Sequence, residues 1–167
     1  RGCARMLSDD IFDLAAGIVA DFREKGLRLT TAESCTGGLI VAALTSVSGS
    51  SEVIDRGFVA YSDAAKAQML GVPSALLEAH GAVSEQAARA MAEGAVAAAQ
   101  ADMAVAVTGI AGPNGATANK PVGLVYIALA ARDADTLVEH HVFEGNRGDV
   151  RRQTVLRALT LLNHFRS

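Results

Sequence analysis

Tryptophan is absent from this 167-residue chain, aromatic residues make up only 4% of it, and cysteine occurs twice. With so little aromatic bulk, Ala, Val, Leu and Ile must build the core, within a hydrophobic content of 50%. Interiors of small residues suit helices packed closely on a sheet. Two cysteines, Cys3 and Cys35, exclude a disulfide framework and point to the cytosol. No apolar run approaches the about 20 residues that cross a bilayer. The start, Arg1-Gly-Cys-Ala-Arg5, lacks both the apolar centre of a secretory signal and an initiator Met, so residues 1–7 read as a ragged N-terminus. There is no basic block, and the net charge is −3 with a pI of 5.8. That balance argues against binding nucleic acid by neutralising its phosphates. No His-x-x-x-His or Cys-x-x-Cys spacing suggests a metal.

The length suits one domain with a real core, placed at 8–165. Ser8 with Asp9 and Asp10 reads as a helix cap and an acidic first turn. Ile11, Leu14, Ala15, Ile18, Val19 and Phe22 then recur at helical spacing up to the stop at Gly26. A strand is predicted over 27–32, then a turn at Ser34 and a helix to about Ser46. A second strand follows at about 56–61, then a helix capped at Ser62 and closed by Gly71. Pro73 starts a short helix, and Ser84-Glu85 opens a long Ala-rich one to about Ala99. Residues 103–108, Met-Ala-Val-Ala-Val-Thr, are apolar as a central strand should be. A glycine-rich loop over 109–120 leads to two β-type runs, 122–130 and about 136–143, and a last helix from about Asp149 to Phe165. Strands alternating with helices, plus one late hairpin, imply a single three-layer α/β/α domain with a mixed, mostly parallel sheet. No linker, internal repeat or low-complexity tract interrupts it.

Three features carry chemistry, and all lie at predicted strand ends, where open α/β sheets hold their ligands. The first is Thr31-Ala-Glu-Ser-Cys-Thr-Gly-Gly38. It places the Ser34 hydroxyl at a strand-to-helix turn beside free backbone N–H groups, as acyl transfer needs. Taken alone, the same residues read as a cap and a tight turn. The second is Tyr61 with Lys66. Lys66 falls in the first turns of a helix, where the helix dipole and partial burial favour its neutral form, so it can serve as base to a serine. On its own it reads as a solvated lysine, and Tyr61 as packing; the functional reading has the Tyr61 hydroxyl relay a proton or orient the lysine. The third is Gly109-Ile-Ala-Gly-Pro-Asn-Gly115, which lets a ligand approach the backbone. It matches neither phosphate fingerprint, since Gly-x-Gly-x-x-Gly is absent and Lys120 follows Asn119. Lys120 and the cluster Arg147, Arg151 and Arg152 are candidates to meet a phosphate, with Arg151 and Arg152 reading more readily as solvated surface charge. His80, His140, His141 and His164 form no rival triad and read as structural or solvated.

Taken in order, the Ser34 stretch, Gly57-Phe-Val-Ala-Tyr-Ser62 with Lys66, Gly81-Ala-Val-Ser-Glu85, Thr108-Gly-Ile-Ala-Gly-Pro113, Lys120-Pro-Val-Gly123 and Phe143-Glu-Gly-Asn-Arg147 resemble the CinA C-terminal domain family. The likeness runs from about residue 8 to 165. Stand-alone members of that family include nicotinamide-nucleotide amidohydrolases. The resemblance implies a three-layer α/β/α domain and a serine amidohydrolase that needs no metal or cofactor. Nicotinamide mononucleotide and water would become nicotinic acid mononucleotide and ammonia, with Ser34, Tyr61 and Lys66 as the catalytic residues. Amides of Cys35, Thr36, Gly37 and Gly38 are expected to hold the oxyanion, and Gly109, Ile110, Ala111, Gly112 and Lys120 the nucleotide. The expected partner is this small molecule, not nucleic acid or membrane, and family members commonly self-associate as homo-oligomers. The chain departs from the usual pattern at Ser48, Ala116 and Asn146, where Pro, Gly and Asp are common; all three lie in loops and bear on substrate fit. Two other readings fit the resemblance: a ligand-binding domain without activity, and an amidohydrolase acting on another amide.

Overall fold

The computed structural model describes residues 7–165; the readings of Cys3 and of the start before Leu7 lie outside the described residues. In chain order the elements are α1 (Asp9–Glu24), β1 (Leu29–Glu33), α2 (Leu39–Thr45), β2 (Phe58–Val59), α3 (Asp63–Leu70), α4 (Ser74–His80), α5 (Glu85–Ala99), β3 (Met103–Gly109), β4 (Leu124–Ala131), β5 (Ala134–Val142) and α6 (Arg147–Phe165). The sheet order is β2-β1-β3-β4-β5. β1 pairs in parallel with both β2 and β3, whereas β4 is antiparallel to β3 and to β5. Four strands therefore point one way and β4 the other, which is the mixed, mostly parallel sheet expected.

Strand alternation divides the core into two unlike faces. Val105 and Val107, opposite Leu129 and Ile127, pack with Ile18, Phe22, Ile40, Leu159 and Leu162 beneath α1, α2 and α6. Ala104 and Ala106, opposite Ala130 and Ala128, pack with Ala88, Met91, Ala92 and Ala95 of α5. Burying each large aliphatic side chain contributes about 1.5–3 kcal/mol, so the first face carries more of the hydrophobic stabilisation. The alanine face does something else: it lets α5 and α3 come close. A Cβ on Gly94 of α5 would sit 1.9 Å from the Leu70 carbonyl oxygen at the end of α3. That approach fixes the helix which carries Lys66.

α2 begins at Leu39, after a turn over 34–38 that Gly37 and Gly38 hold with φ of +61° and +99°. Two other elements differ more from the sequence reading. β2 shrinks to two residues, because β1 ends at Glu33 and leaves no ladder partner beyond Val59. α6 starts earlier, at Arg147. Asn146 Oδ1 accepts from the Asp149 N–H at 3.0 Å, and Asp149 Oδ2 accepts from the Asn146 N–H at 2.9 Å, a reciprocal cap. Asn146, a departure from the family pattern, thus closes a helix end. Among the described residues no helix is long and apolar enough to cross a membrane.

Candidate active site

Ser34 follows the last residue of β1, and its N–H is anchored to the Val107 carbonyl at 3.1 Å. Alternation sends Ser34 to the α3 side of the sheet and Glu33 to the other. On α3, the Ser62 hydroxyl caps the helix by accepting from the Ala65 N–H at 3.1 Å. One turn in, Lys66 points inward and is 1% exposed. Its Nζ lies 3.2 Å from Ser34 Oγ and donates also toward the Tyr61 carbonyl at 3.5 Å. Burial pushes the Lys66 amine below the 10.5 of an ordinary lysine, against the opposing influence of Asp63 and then Cys35. The lysine is therefore neither solvated nor surface charge. A neutral Nζ at this distance can accept the Ser34 hydroxyl proton.

Cys35, next to the serine, is no rival nucleophile. Burial first, with the Glu33 charge adding to it, pushes its thiol up to about 12, although its own backbone N–H, Arg151 and Arg147 act in the other direction. The thiolate form that reacts is scarce at neutral pH.

Tyr61 is divided between two neighbours. Its carbonyl faces Lys66, while the side chain is 61% exposed and its hydroxyl accepts from Arg147 Nη2 at 3.0 Å. The phenol does not stand between Ser34 and Lys66. Arg147 Nη1 donates to the Gly112 carbonyl at 2.9 Å, so one guanidinium joins Tyr61 to the glycine loop. Earlier residues of that loop serve the fold. Gly109 has no room for a Cβ, which would sit 2.7 Å from Val125 Cγ2; Ile110 exchanges backbone bonds with Leu124 and Gly123; and Ala111 is buried in the core. Lys120 Nζ donates to the His80 carbonyl at 2.7 Å and so closes the end of α4. Among the described residues no group of three or more His, Cys, Asp and Glu could hold a metal ion.

Two residues shape the nucleophile turn: Glu33, to which sequence reasoning gave no role, and Arg151, to which it gave a different one. Glu33 is fully buried, and its carboxylate accepts from the Thr36 hydroxyl at 2.6 Å, the Ile40 N–H at 2.8 Å and the Val41 N–H at 3.0 Å. The signal was present: an acid one residue before Ser34 must face away from it, toward the start of α2. Arg151, read as surface charge, instead donates through Nε to the Cys35 carbonyl and through Nη2 to the Thr36 carbonyl, both at 3.1 Å. Arg152 behaves as expected and pairs with Asp10 on the exposed side at 2.6 Å. These contacts also sort the turn's amides. Glu33 takes those of Ile40 and Val41, and the Gly37 N–H returns to the Ser34 carbonyl at 3.1 Å. The N–H groups of Thr36 and Gly38 have no hydrogen-bond partner among the described residues.

Fold and site together define a three-layer α/β/α domain with a buried serine–lysine pair at the carboxyl end of a parallel ladder. The chain belongs to the CinA C-terminal domain family, whose model matches residues 11–165. It is 49% identical to nicotinamide-nucleotide amidohydrolase PncC of Enterobacter agglomerans, over 93% of this chain and 95% of that one. It is 51% identical to a CinA-like protein of Anaeromyxobacter dehalogenans, over 92% of this chain but only 37% of that protein. The chain thus spans little more than a third of such longer relatives. The crystal structure of the competence/damage inducible protein CihA from Agrobacterium tumefaciens superposes with a TM-score of 0.94 at 48% identity, covering 98% of this chain and 99% of that one.

Proposed function

We propose that this chain is an amidohydrolase that converts nicotinamide mononucleotide and water to nicotinic acid mononucleotide and ammonia, with Ser34 as nucleophile and Lys66 as its base. The observation that carries the reading is the 3.2 Å contact between Ser34 Oγ and the buried Lys66 Nζ. It occurs in a chain 49% identical, nearly end to end, to a relative that bears this activity in its name. Neutral Lys66 takes the serine proton directly as Oγ attacks the carboxamide carbon. The electron-poor pyridinium assists this attack. Unpartnered amides of the 35–38 turn receive the oxyanion, in the manner of preorganised donors. Protonated Lys66 then passes its proton to the leaving nitrogen, and ammonia departs. Water then attacks the acyl-serine and gives a proton to Lys66, which passes it to Ser34 Oγ as the C–Oγ bond breaks; the carboxylic acid ionises, and the serine hydroxyl and neutral lysine are restored. Gly112 and Lys120 remain the proposed contacts for the nucleotide. Arg147, already bound to that loop and to Tyr61, joins them.

The test is formation of ammonia and nicotinic acid mononucleotide from nicotinamide mononucleotide with no metal added, in wild type and Ser34→Ala. Turnover should fall by about 10⁴-fold or more in the variant; near-normal turnover there would overturn the assignment.

The same reading fixes a pH dependence. Because the base must be neutral, log kcat/KM should rise with unit slope toward higher pH and level off above the Lys66 pKa. Burial lowers that pKa, so the inflection should fall below 10.5. Activity that declines as pH rises through this range would contradict a lysine base.

A further inference from the structure

We infer that Arg151 is a positioning residue, which sets the aim of the amides in the nucleophile turn without touching the substrate; the inference rests on the amidohydrolase reading above. Its guanidinium donates to two successive carbonyls, those of Cys35 and Thr36, each at 3.1 Å. In a planar trans peptide the C=O and the following N–H point in opposite directions. Holding the Cys35 carbonyl toward α6 therefore directs the Thr36 N–H away from α6. Holding the Thr36 carbonyl does the same for the Gly37 N–H, which bonds back to Ser34. A cation on a carbonyl also polarises its peptide, and so strengthens the N–H as a donor. Glu33 clamps the same turn from the other side, through the Thr36 hydroxyl and the Ile40 and Val41 amides. The carboxylate draws on N–H groups at the start of α2, and the guanidinium draws on carbonyls of the turn. Between them they leave the Thr36 and Gly38 N–H groups without a partner among the described residues. Gly37 has φ +61°, a backbone conformation that favours glycine, so the path of the turn rests on that residue.

Arg151→Met tests this, because Arg151 lines a recess together with Ile11, Leu39 and Val155, against which a methionine of similar length can also lie. Thermal unfolding verifies that the variant folds, and Arg151→Lys supplies a second variant with one compact donor. Two readouts follow: steady-state turnover of nicotinamide mononucleotide, and phosphonylation of Ser34 by a fluorophosphonate, read by peptide mapping. In Arg151→Met we expect kcat to fall about 10²-fold, the scale of losing one oxyanion donor, with KM within about twofold. Ser34 phosphonylation should slow in parallel, and added guanidinium ion should recover part of both rates. Arg151→Lys should lie between Met and wild type. A folded Arg151→Met with wild-type kcat and wild-type phosphonylation would overturn the inference, as would a rise in KM alone. If wild type turns over no nicotinamide mononucleotide yet phosphonylation still depends on Arg151, the clamp stands and the substrate reading falls. Folded wild type that shows neither reaction would overturn both.

Discussion

Lys66→Met should abolish turnover and at the same time raise the melting temperature. The first effect follows from removal of the base: members of such catalytic units, deleted singly, cost about 10⁴-fold or more. The second follows from where the amine sits. A lysine that is 1% exposed has given up its water for two contacts, one with Ser34 Oγ and one long contact with the Tyr61 carbonyl. Replacing buried ion pairs by apolar side chains of similar volume often stabilises by about 1–4 kcal/mol, and a desolvated amine that has only these two contacts should gain on the same scale. Leaving the Ser34 hydroxyl without its partner takes back about 1–3 kcal/mol. The net gain should be on the order of 1 kcal/mol, or about 2–4 °C in Tm for a domain of this size. Its pH dependence is fixed in sign. Below the lowered pKa the folded wild type buries a charged amine, so the gain is largest there. Between that pKa and 10.5 the unfolded chain holds more protons than the folded one, so wild-type stability rises with pH and the difference shrinks. Calorimetry of both proteins across pH checks this. A methionine variant less stable than wild type at every pH would mean that the lysine supports the fold rather than straining it.

Glu33→Ala should have the largest effect on stability, a loss of about 3–5 kcal/mol from three neutral donors left unsatisfied, or on the order of 10 °C in Tm. The substitution strands three donors, the Thr36 hydroxyl and the Ile40 and Val41 amides, at a fully buried position. Each unsatisfied buried donor costs about 1–3 kcal/mol. Glu33→Gln should fall between the two, because its amide oxygen can still accept while its NH₂ faces a donor. Thermal unfolding of both variants decides the matter, and a Tm within about 2 °C of wild type for Glu33→Ala would show that the carboxylate is dispensable.

Much of this fold is legible one segment at a time. The helical spacing from Ile11 to Phe22 became α1, with all but Leu14 of its stripe buried. The Ser62 and Ser84 caps opened helices where expected, each side chain accepting from the N–H three residues on. The unbroken apolar run at 103–108 became β3, in the middle of the sheet. The turn at 34–38 was legible in place but not in shape, since which glycine takes positive φ depends on what packs around it. Ser34 and Lys66 were readable as candidates because each stands at a strand end or a helix start. Their partners were less so: Arg147 meets Tyr61 across 86 residues of chain, and Arg151 meets Cys35 across 116.

By itself the sequence determined what depends on near neighbours: the periods of helix and strand, the caps, the glycine stops, and the order of motifs that marks the family. The tertiary structure alone decided which polar groups lost their water and what they found instead. Closure of α3 against α5 buries Lys66 and so lowers its pKa. Docking of α6 against the turn changes Arg151 from expected surface charge into a clamp. These outcomes are settled by contacts between residues far apart in the chain, because desolvation depends on everything that surrounds a group and no local pattern carries that information.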